Sequence, residues 1–365
     1  MVEGEEKLSK ERNLGLWEKY LTFWVALCII LGISIGRGIP FISYFLGKLE
    51  VAHISIPVAI CLFAMIYPIM VQIDFAQVID AGKTPKPVAA TLVMNWAIKP
   101  FTMAFFAWLF MDVIFASFLN TDLALQYRSG LILLGVAPCT AMVLMWSYLA
   151  EGNMGHTIIM TAINSLSMII LYAPLAGILL GISGVQVPWK TIALSVVIYI
   201  CTPLVLGYIT RSQAIKRKGT EWFETKLIPP LETIAIISLL LTLIILFIMQ
   251  GYLIVELPFY ILLIAIPIFI NIVTVFVSAY LLSKTINLSY EDAAPTAIIA
   301  GSNHFEVAIA VSTTLFGIRS GASLATVVGV LTEVPMMLFL VWLCKKTRHF
   351  FPSNSTLMDF QKYGC

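Results

Sequence analysis

Two short stretches hold the side chains best suited to chemistry. In GLILLGVAPCTAMVLMWSYLAEGN, residues 130–153, a thiol and a hydroxyl, Cys139 and Thr140, follow Pro138 in the middle of an apolar run. In IAGSNHFEVAIA, residues 299–310, Ser302, Asn303, His304 and Glu306 stand in similar surroundings. Pro138 lacks an amide hydrogen and frees the carbonyl four residues back. Gly301, Ser302, Asn303 and His304 are poor helix formers. Both stretches are therefore expected to interrupt a helix. A thiolate is a soft ligand that suits thiophilic solutes. A carboxyl group can take up and release a proton.

Two further ionisable residues lie in apolar runs, Lys99 in VMNWAIKPF and Glu333 in LTEVP. A charge at the bilayer centre costs about 2.5–3.5 kcal/mol on insertion scales. Each such group needs a partner or a water-filled cavity. Lys99 is expected to neutralise one of the two carboxylates, leaving the other free to exchange a proton. Glu306 is the first candidate because it follows a break, and Glu333 is the second. The plainer alternative is a static Lys–Glu pair joining helices. Prolines can also be ordinary kinks, and Pro57, Pro68, Pro100, Pro174, Pro203, Pro267 and Pro335 are available for that. Buried cysteines are usually inert. Cys28, Cys61 and Cys201 have wholly ordinary neighbours, and Cys344 lies at the end of a run. Asn164, Ser165 and Thr332 are expected to join helices by hydrogen bonds.

The elements that must position these groups are membrane spans. Of the 365 residues 60% are apolar and 12% charged, about half the usual charged share. Ten apolar runs approach the ~20 residues a spanning helix needs. They are Trp17–Ile35, Ser55–Ile73, Val88–Met111, Ser129–Leu149, Met154–Leu180, Thr191–Ile209, Ile228–Met249, Leu257–Leu282, Ala293–Phe316 and Leu324–Leu343. Period-2 alternation is absent, so a barrel is not expected. The charged segment before the first run reads as a tail and not as a signal peptide. Six cysteines with no CxxC pair do not form a disulfide framework. The net charge of +2 carries no sign of a nucleic-acid partner.

Lysine and arginine set the expected orientation. Lys7, Lys10, Arg12 and Lys19 precede the first run. Lys83, Lys86, Arg211, Lys216, Arg217, Lys218, Lys226 and Lys284 follow the second, sixth and eighth. Lys345, Lys346, Arg348 and Lys362 end the chain. The opposite side holds fewer: Arg37, Lys48, Arg128, Lys190 and Arg319. Both termini are thus expected in the cytoplasm, with the chain in a cell membrane. Trp17, Trp189, Trp222 and Trp342 lie near run ends, as interfacial anchors do.

Ten spans with both ends inside divide into five plus five, and an odd count inverts the second half. Gly301 then falls on Gly135, the Pro138–Cys139 break on His304–Phe305, and Asn95 of the third run corresponds to Asn271 of the eighth. The expected organisation is an amino tail 1–19, a first repeat 20–183, a second repeat 184–346 and a carboxyl tail 347–365. Paired breaks at corresponding places in two halves point to a transport site.

LGVAPCTAMVLMWSYLAEGN together with GSNHFEVAIA closely resembles the ten-helix arsenite efflux permeases of the arsenical-resistance type, within the bile acid:sodium symporter-like superfamily. The resemblance runs from Trp17 to Lys346. It implies an all-α polytopic membrane protein of ten transmembrane helices, in a five-plus-five inverted repeat with broken, crossing helices four and nine. It also implies a core domain and a separate panel of spans one, two, six and seven. It makes Cys139 and Glu306 essential. Cys139 is then the ligand of As(III), with Thr140, Asn303, His304 and Glu306 lining the substrate. Glu306 would couple the proton, with Glu333 and Lys99 beside it.

Arsenite near neutral pH is mostly an uncharged trihydroxide, so uphill efflux needs a coupled ion, and proton antiport is expected. Antimonite, similarly soft and trivalent, is a second candidate substrate. No cofactor and no enzymatic activity are expected, and whether a cytoplasmic arsenical-resistance ATPase or metallochaperone assists stays open. Two rivals stand beside this expectation. A sodium-coupled organic anion symporter on the same fold would use oxygen ligands from Ser302, Asn303 and Glu306, and gives Cys139 no role. A membrane-embedded enzyme would pair Cys139 with His304. Against other enzymes, Asp74, Asp80, Asp112, Asp122, Asp292 and Asp359 all lie at run ends or in connections, and no HExxH motif occurs.

Overall fold

The computed structural model describes residues 21–51, 54–74, 85–140, 142–185, 189–256 and 258–352. Those residues form helices and their connections, apart from a two-residue antiparallel pairing of Glu50–Val51 with Ile54–Ser55. Most of both tails, with Trp17 and Lys362, lies outside the described residues.

The helices in chain order are α1 (Leu21–Gly38), α2 (Pro40–Lys48), α3 (Ile56–Gln72), α4 (Pro85–Ile114), α5 (Thr121–Val136), α6 (Met142–Leu149) and α7 (Met154–Ile182). They continue as α8 (Trp189–Lys218), α9 (Ile228–Glu256), α10 (Pro258–Thr285), α11 (Tyr290–Gly301), α12 (Phe305–Phe316) and α13 (Gly321–Lys346). Within the described residues each of the ten apolar runs contains helix. Among the described residues six helices are long and apolar enough to cross a membrane, namely 85–114, 154–182, 189–218, 220–250, 258–285 and 321–346. α1 and α2 form a pair bent by 95°. α3 and α12 are shorter apolar helices. The fourth and ninth runs are each split in two, as α5 with α6 and α11 with α12. The chain is an all-α polytopic membrane protein.

Side-chain caps start the helices that position the site. Asn120, Asn153, Ser289 and Ser320 each accept a hydrogen bond from an amide in the first turn of α5, α7, α11 and α13. Each satisfies a donor that helix geometry leaves unpaired. Pro68, Pro174, Pro267, Pro295 and Pro335 lie inside continuous helices. Pro138 does not, which distinguishes a break from a kink. Two other prolines mark local changes of winding. π-helical turns at Met94–Ile98 and Val197–Cys201 stand just before Pro100 and Pro203.

Packing divides the helices into two groups. α1 and α3 pack on α9, and α3 also packs on α8. α4, α5, α7, α10, α11, α12 and α13 form the other group, with α5 against both α4 and α13. Close approach there depends on a small residue. A methyl group added at Gly130 of α5 would stand 2.2 Å from the Ala322 carbonyl oxygen of α13. The groups meet where the first turns of α8 touch α12. They also meet where buried Gln250 of α9 donates to the Ile318 carbonyl at 2.6 Å, in the turn between α12 and α13.

Candidate functional site

The two split runs cross at their breaks. α5 stops at Val136, Ala137 is extended, and α6 resumes at Met142. α11 stops at Gly301, Ser302 is extended, and α12 resumes at Phe305. An antiparallel bridge pairs Pro138 with Asn303. The His304 amide donates to the Ala137 carbonyl at 2.9 Å. Lipid cannot hydrogen-bond a free backbone, so irregular chain survives at membrane depth only where protein or water satisfies it. Here each break satisfies part of the other. At the crossing Pro138 faces Asn303.

Neighbouring helices secure what the crossing leaves over. In the first break, the Asn164 side chain on α7 donates to the Cys139 carbonyl at 3.1 Å and accepts from Asn95 of α4 at 3.1 Å. The Tyr172 hydroxyl donates to the Leu133 carbonyl at 3.2 Å. In the second break, Glu333 on α13 accepts three hydrogen bonds: from the Ser302 hydroxyl at 2.5 Å, the Asn303 amide at 2.9 Å and the Asn303 side chain at 3.3 Å. Lys99 of α4 donates to the Ser302 carbonyl at 2.5 Å. Asn164 thus holds the first break as a donor and Glu333 the second as an acceptor, and α4 reaches the second break directly through Lys99 and the first through the bond from Asn95 to Asn164.

These contacts define the surroundings of Lys99. Its hydrogen-bond partner is a backbone carbonyl, and Glu333 acts on it through the electrostatic field. Glu306 is paired elsewhere: its carboxyl is 2.8 Å from His304 Nδ1. Lys99 is 0% exposed and Glu306 3%. Every candidate residue named from the sequence, namely Lys99, Cys139, Thr140, Asn303, His304, Glu306 and Glu333, lies at the crossing or on a helix that touches it. Cys139 is buried, within hydrogen-bonding reach of the Ser302 hydroxyl and within the fields of Glu333, Glu306 and Lys99. Three buried polar atoms of the breaks, Thr140 Oγ1, Asn303 Oδ1 and His304 Nε2, have no partner among the described residues. That is the donor and acceptor set a small hydroxylated solute needs.

Asn164 and Ser302 carry more than their residue types announce. Asn164 does join helices, as expected, but it also holds the backbone of the break. Ser302 was legible as a poor helix former and as an oxygen ligand, and it is the residue that connects Lys99, Glu333 and Cys139. Thr332 and Ser165 bond within their own helices. No cluster of three or more His, Cys, Asp or Glu side chains able to hold a metal ion occurs among the described residues. Among the described residues the thiol at the crossing is thus not part of a closed cage of such ligands.

Residues 59–257 match the model of the sodium bile acid symporter family. The chain belongs to that family. Proteins similar to it along nearly their whole length include an uncharacterized transporter of Synechocystis, 54% identical over 95% of this chain and 94% of that one. The arsenical-resistance protein Acr3 of Alkaliphilus metalliredigens is 46% identical over 96% of this chain and 98% of its own. The Acr3 protein of Corynebacterium glutamicum is 32% identical over 98% and 96%. The resemblance carried by the two motifs is thus matched across the chain.

Proposed function

We propose that this protein expels arsenite from the cytoplasm by exchange for protons, with Cys139 as the ligand of As(III) and Glu306 as the proton carrier. The observation that carries the proposal is a buried thiol at the crossing of two broken helices, beside a carboxyl group and three unpartnered polar atoms. The similarity to two arsenical-resistance proteins supports the choice of cargo.

The chemistry follows from the groups present. The Cys139 thiol displaces one hydroxyl of arsenous acid, forming a sulfur–arsenic bond and releasing water. The remaining arsenic hydroxyls bond to Thr140, Asn303 and His304. Facing the cytoplasm, Glu306 gives up its proton as arsenite binds. Facing outward it takes one up, water hydrolyses the sulfur–arsenic bond, and the cargo leaves. One thiol suits a carrier, because a cage of thiolates would not let go. The cargo has no charge, so the membrane potential does no work on it directly. One inward proton supplies about 2.3 kcal/mol per 100 mV, plus any pH gradient. Antimonite has the same valence and softness and is proposed as a second cargo.

The membrane arrangement belongs to the same proposal: ten spans in two inverted repeats, 20–183 and 184–346, between cytoplasmic tails 1–19 and 347–365. Lys216, Arg217 and Lys218 at the end of α8, and Lys345 and Lys346 at the end of α13, support this orientation. Exposed Trp189, Trp222 and Trp342 suit interfacial positions.

The test is uptake of As(III) into everted membrane vesicles. Uptake should require an imposed proton gradient, collapse with a protonophore and ignore sodium. Uptake that follows sodium and ignores the proton gradient would overturn the proposal.

A further inference from the structure

The family is named for sodium symport, so the crossing has to be tested against a sodium ion. A hard cation takes oxygen ligands. Several oxygens and donors of the second break are already committed, although Asn303 Oδ1 has no partner among the described residues. The Ser302 carbonyl accepts from Lys99 at 2.5 Å. The Ser302 hydroxyl, the Asn303 amide and the Asn303 side chain all turn their hydrogens toward Glu333, at 2.5, 2.9 and 3.3 Å. Glu306 is paired with His304 at 2.8 Å. A sodium ion beside the Ser302 carbonyl would also face a fully buried ammonium group. At the Ser302 carbonyl a sodium ion would have to displace the Lys99 ammonium, and the residues there are not free to receive it.

They fit a cation that is part of the chain. We infer that the Lys99 ammonium takes the place of a coupling sodium ion, supplying the positive charge that the Ser302 carbonyl and the Glu333 carboxylate require. The ammonium offers three hydrogens and one unit charge, and its stem is held by α4 at the turn where π-helical winding returns to α-helical. A buried carboxylate without a compensating charge is costly. Whenever Glu333 is ionised, a nearby cation offsets that cost. A free ion can enter on one side and leave on the other, and so carries energy. A tethered one cannot leave and carries none. The protein is thereby released from the sodium gradient. Its driving force must come from another group, which is Glu306 in the reading of function given above, and the inference rests on that reading for its meaning in transport.

The experiment reads cation binding and not arsenite transport, so it fails separately from the arsenite proposal. The purified full-length protein and its Lys99→Ala variant are melted at pH 8 and fixed ionic strength, with sodium exchanged stepwise for choline. The wild type should show no dependence on sodium. Lys99→Ala, which leaves the Ser302 carbonyl and Glu333 without their ammonium, should melt higher in sodium than in choline by about 2–4 °C. A flat response from the variant would overturn the inference. So would a sodium-dependent wild type, which is measured whether or not the variant folds. A Lys99→Ala protein recovered folded in neither salt would also overturn it, because sodium would then be no substitute for the ammonium. Folding of the variant in sodium alone would be the strongest support.

Discussion

At the scale of single residues, the proposal separates the thiol from the carboxyl group. Cys139→Ser keeps size and shape but replaces a soft ligand with a hard one. Arsenite uptake in vesicles should fall to background while the protein accumulates normally. Replacing Cys28, Cys61 and Cys201 together by alanine should leave transport in place, since none lies at the crossing. Wild-type transport by Cys139→Ser would end the thiol mechanism. Glu306→Gln should stop proton-driven uptake and spare the exchange of arsenite for arsenite, which moves no net proton. Because the partner of Glu306 is His304, this change strands no lysine. Its melting temperature should stay within about 4 °C of wild type, the shift that ~1 kcal/mol produces in a large domain. Uphill uptake by Glu306→Gln would move the proton to another group. The chemical residues were legible because each is out of place in an apolar run. Their partners were not. Opposite charge suggested a carboxylate for Lys99, but its bond goes to a carbonyl that becomes available only when a helix is broken and another chain segment is folded beside it.

At the scale of elements, the breaks stand or fall with the side chains that hold them. Asn164→Leu would leave the Cys139 carbonyl and the Asn95 amide without partners. The expected loss is about 1–3 kcal/mol for the stranded groups, read as a lower melting temperature. Glu333→Leu strands more: the Asn303 amide, the Ser302 hydroxyl and the charge of Lys99. Removing one side of a buried charge arrangement costs about 3–5 kcal/mol, so this variant should be the less stable of the two. Equal stability for Glu333→Leu and wild type would show that the carboxylate does not hold the break. Pro138 and the Gly301–His304 run announced the interruptions because their residue types disfavour helix. Asn164 was harder to recognise, since an asparagine that joins two helices and one that caps a break look alike in sequence. Apolar runs carry little register, and the bridge between Pro138 and Asn303 is a property of the folded backbone.

At the scale of the whole molecule, the two helix groups carry different duties. α1, α3, α8 and α9 surround no break. The other group contains both. The grouping expected for spans one, two, six and seven is the grouping that packing produces, although the sequence shows it only through the resemblance. An ion-pair cluster ties together the ends of the break-containing group. Glu151, between α6 and α7, pairs with Lys345 at 3.0 Å and Arg348 at 2.9 Å, and Arg348 also reaches Glu291 at 3.1 Å. The hydrogen bond from Lys345, with the charges of Lys345 and Arg348, holds the Glu151 carboxyl below its ordinary range. A carboxyl group so depressed adds stability above its unfolded-state pKa and loses it as pH falls through the folded value. The exposed setting keeps the contribution below about 1 kcal/mol. Melting measured downward from pH 7 should show an acid-side loss that Glu151→Gln reduces. The same acid limb in both proteins would show that the cluster contributes nothing.

The bond from the His304 amide to the Ala137 carbonyl also imposes a schedule on biosynthesis. The ribosome finishes the first break long before it reaches the second. At about 5–20 residues per second, Ala137 waits on the order of ten to thirty seconds for its partner to be made. During that interval the nascent chain holds an interrupted helix whose exposed carbonyl has no mate in lipid. A chain truncated after the first five runs would remain in that unfinished condition permanently, open to membrane proteases. Supplying the missing half as a second polypeptide would be the remedy, with rescue appearing as survival of both fragments and loss of either when expressed alone.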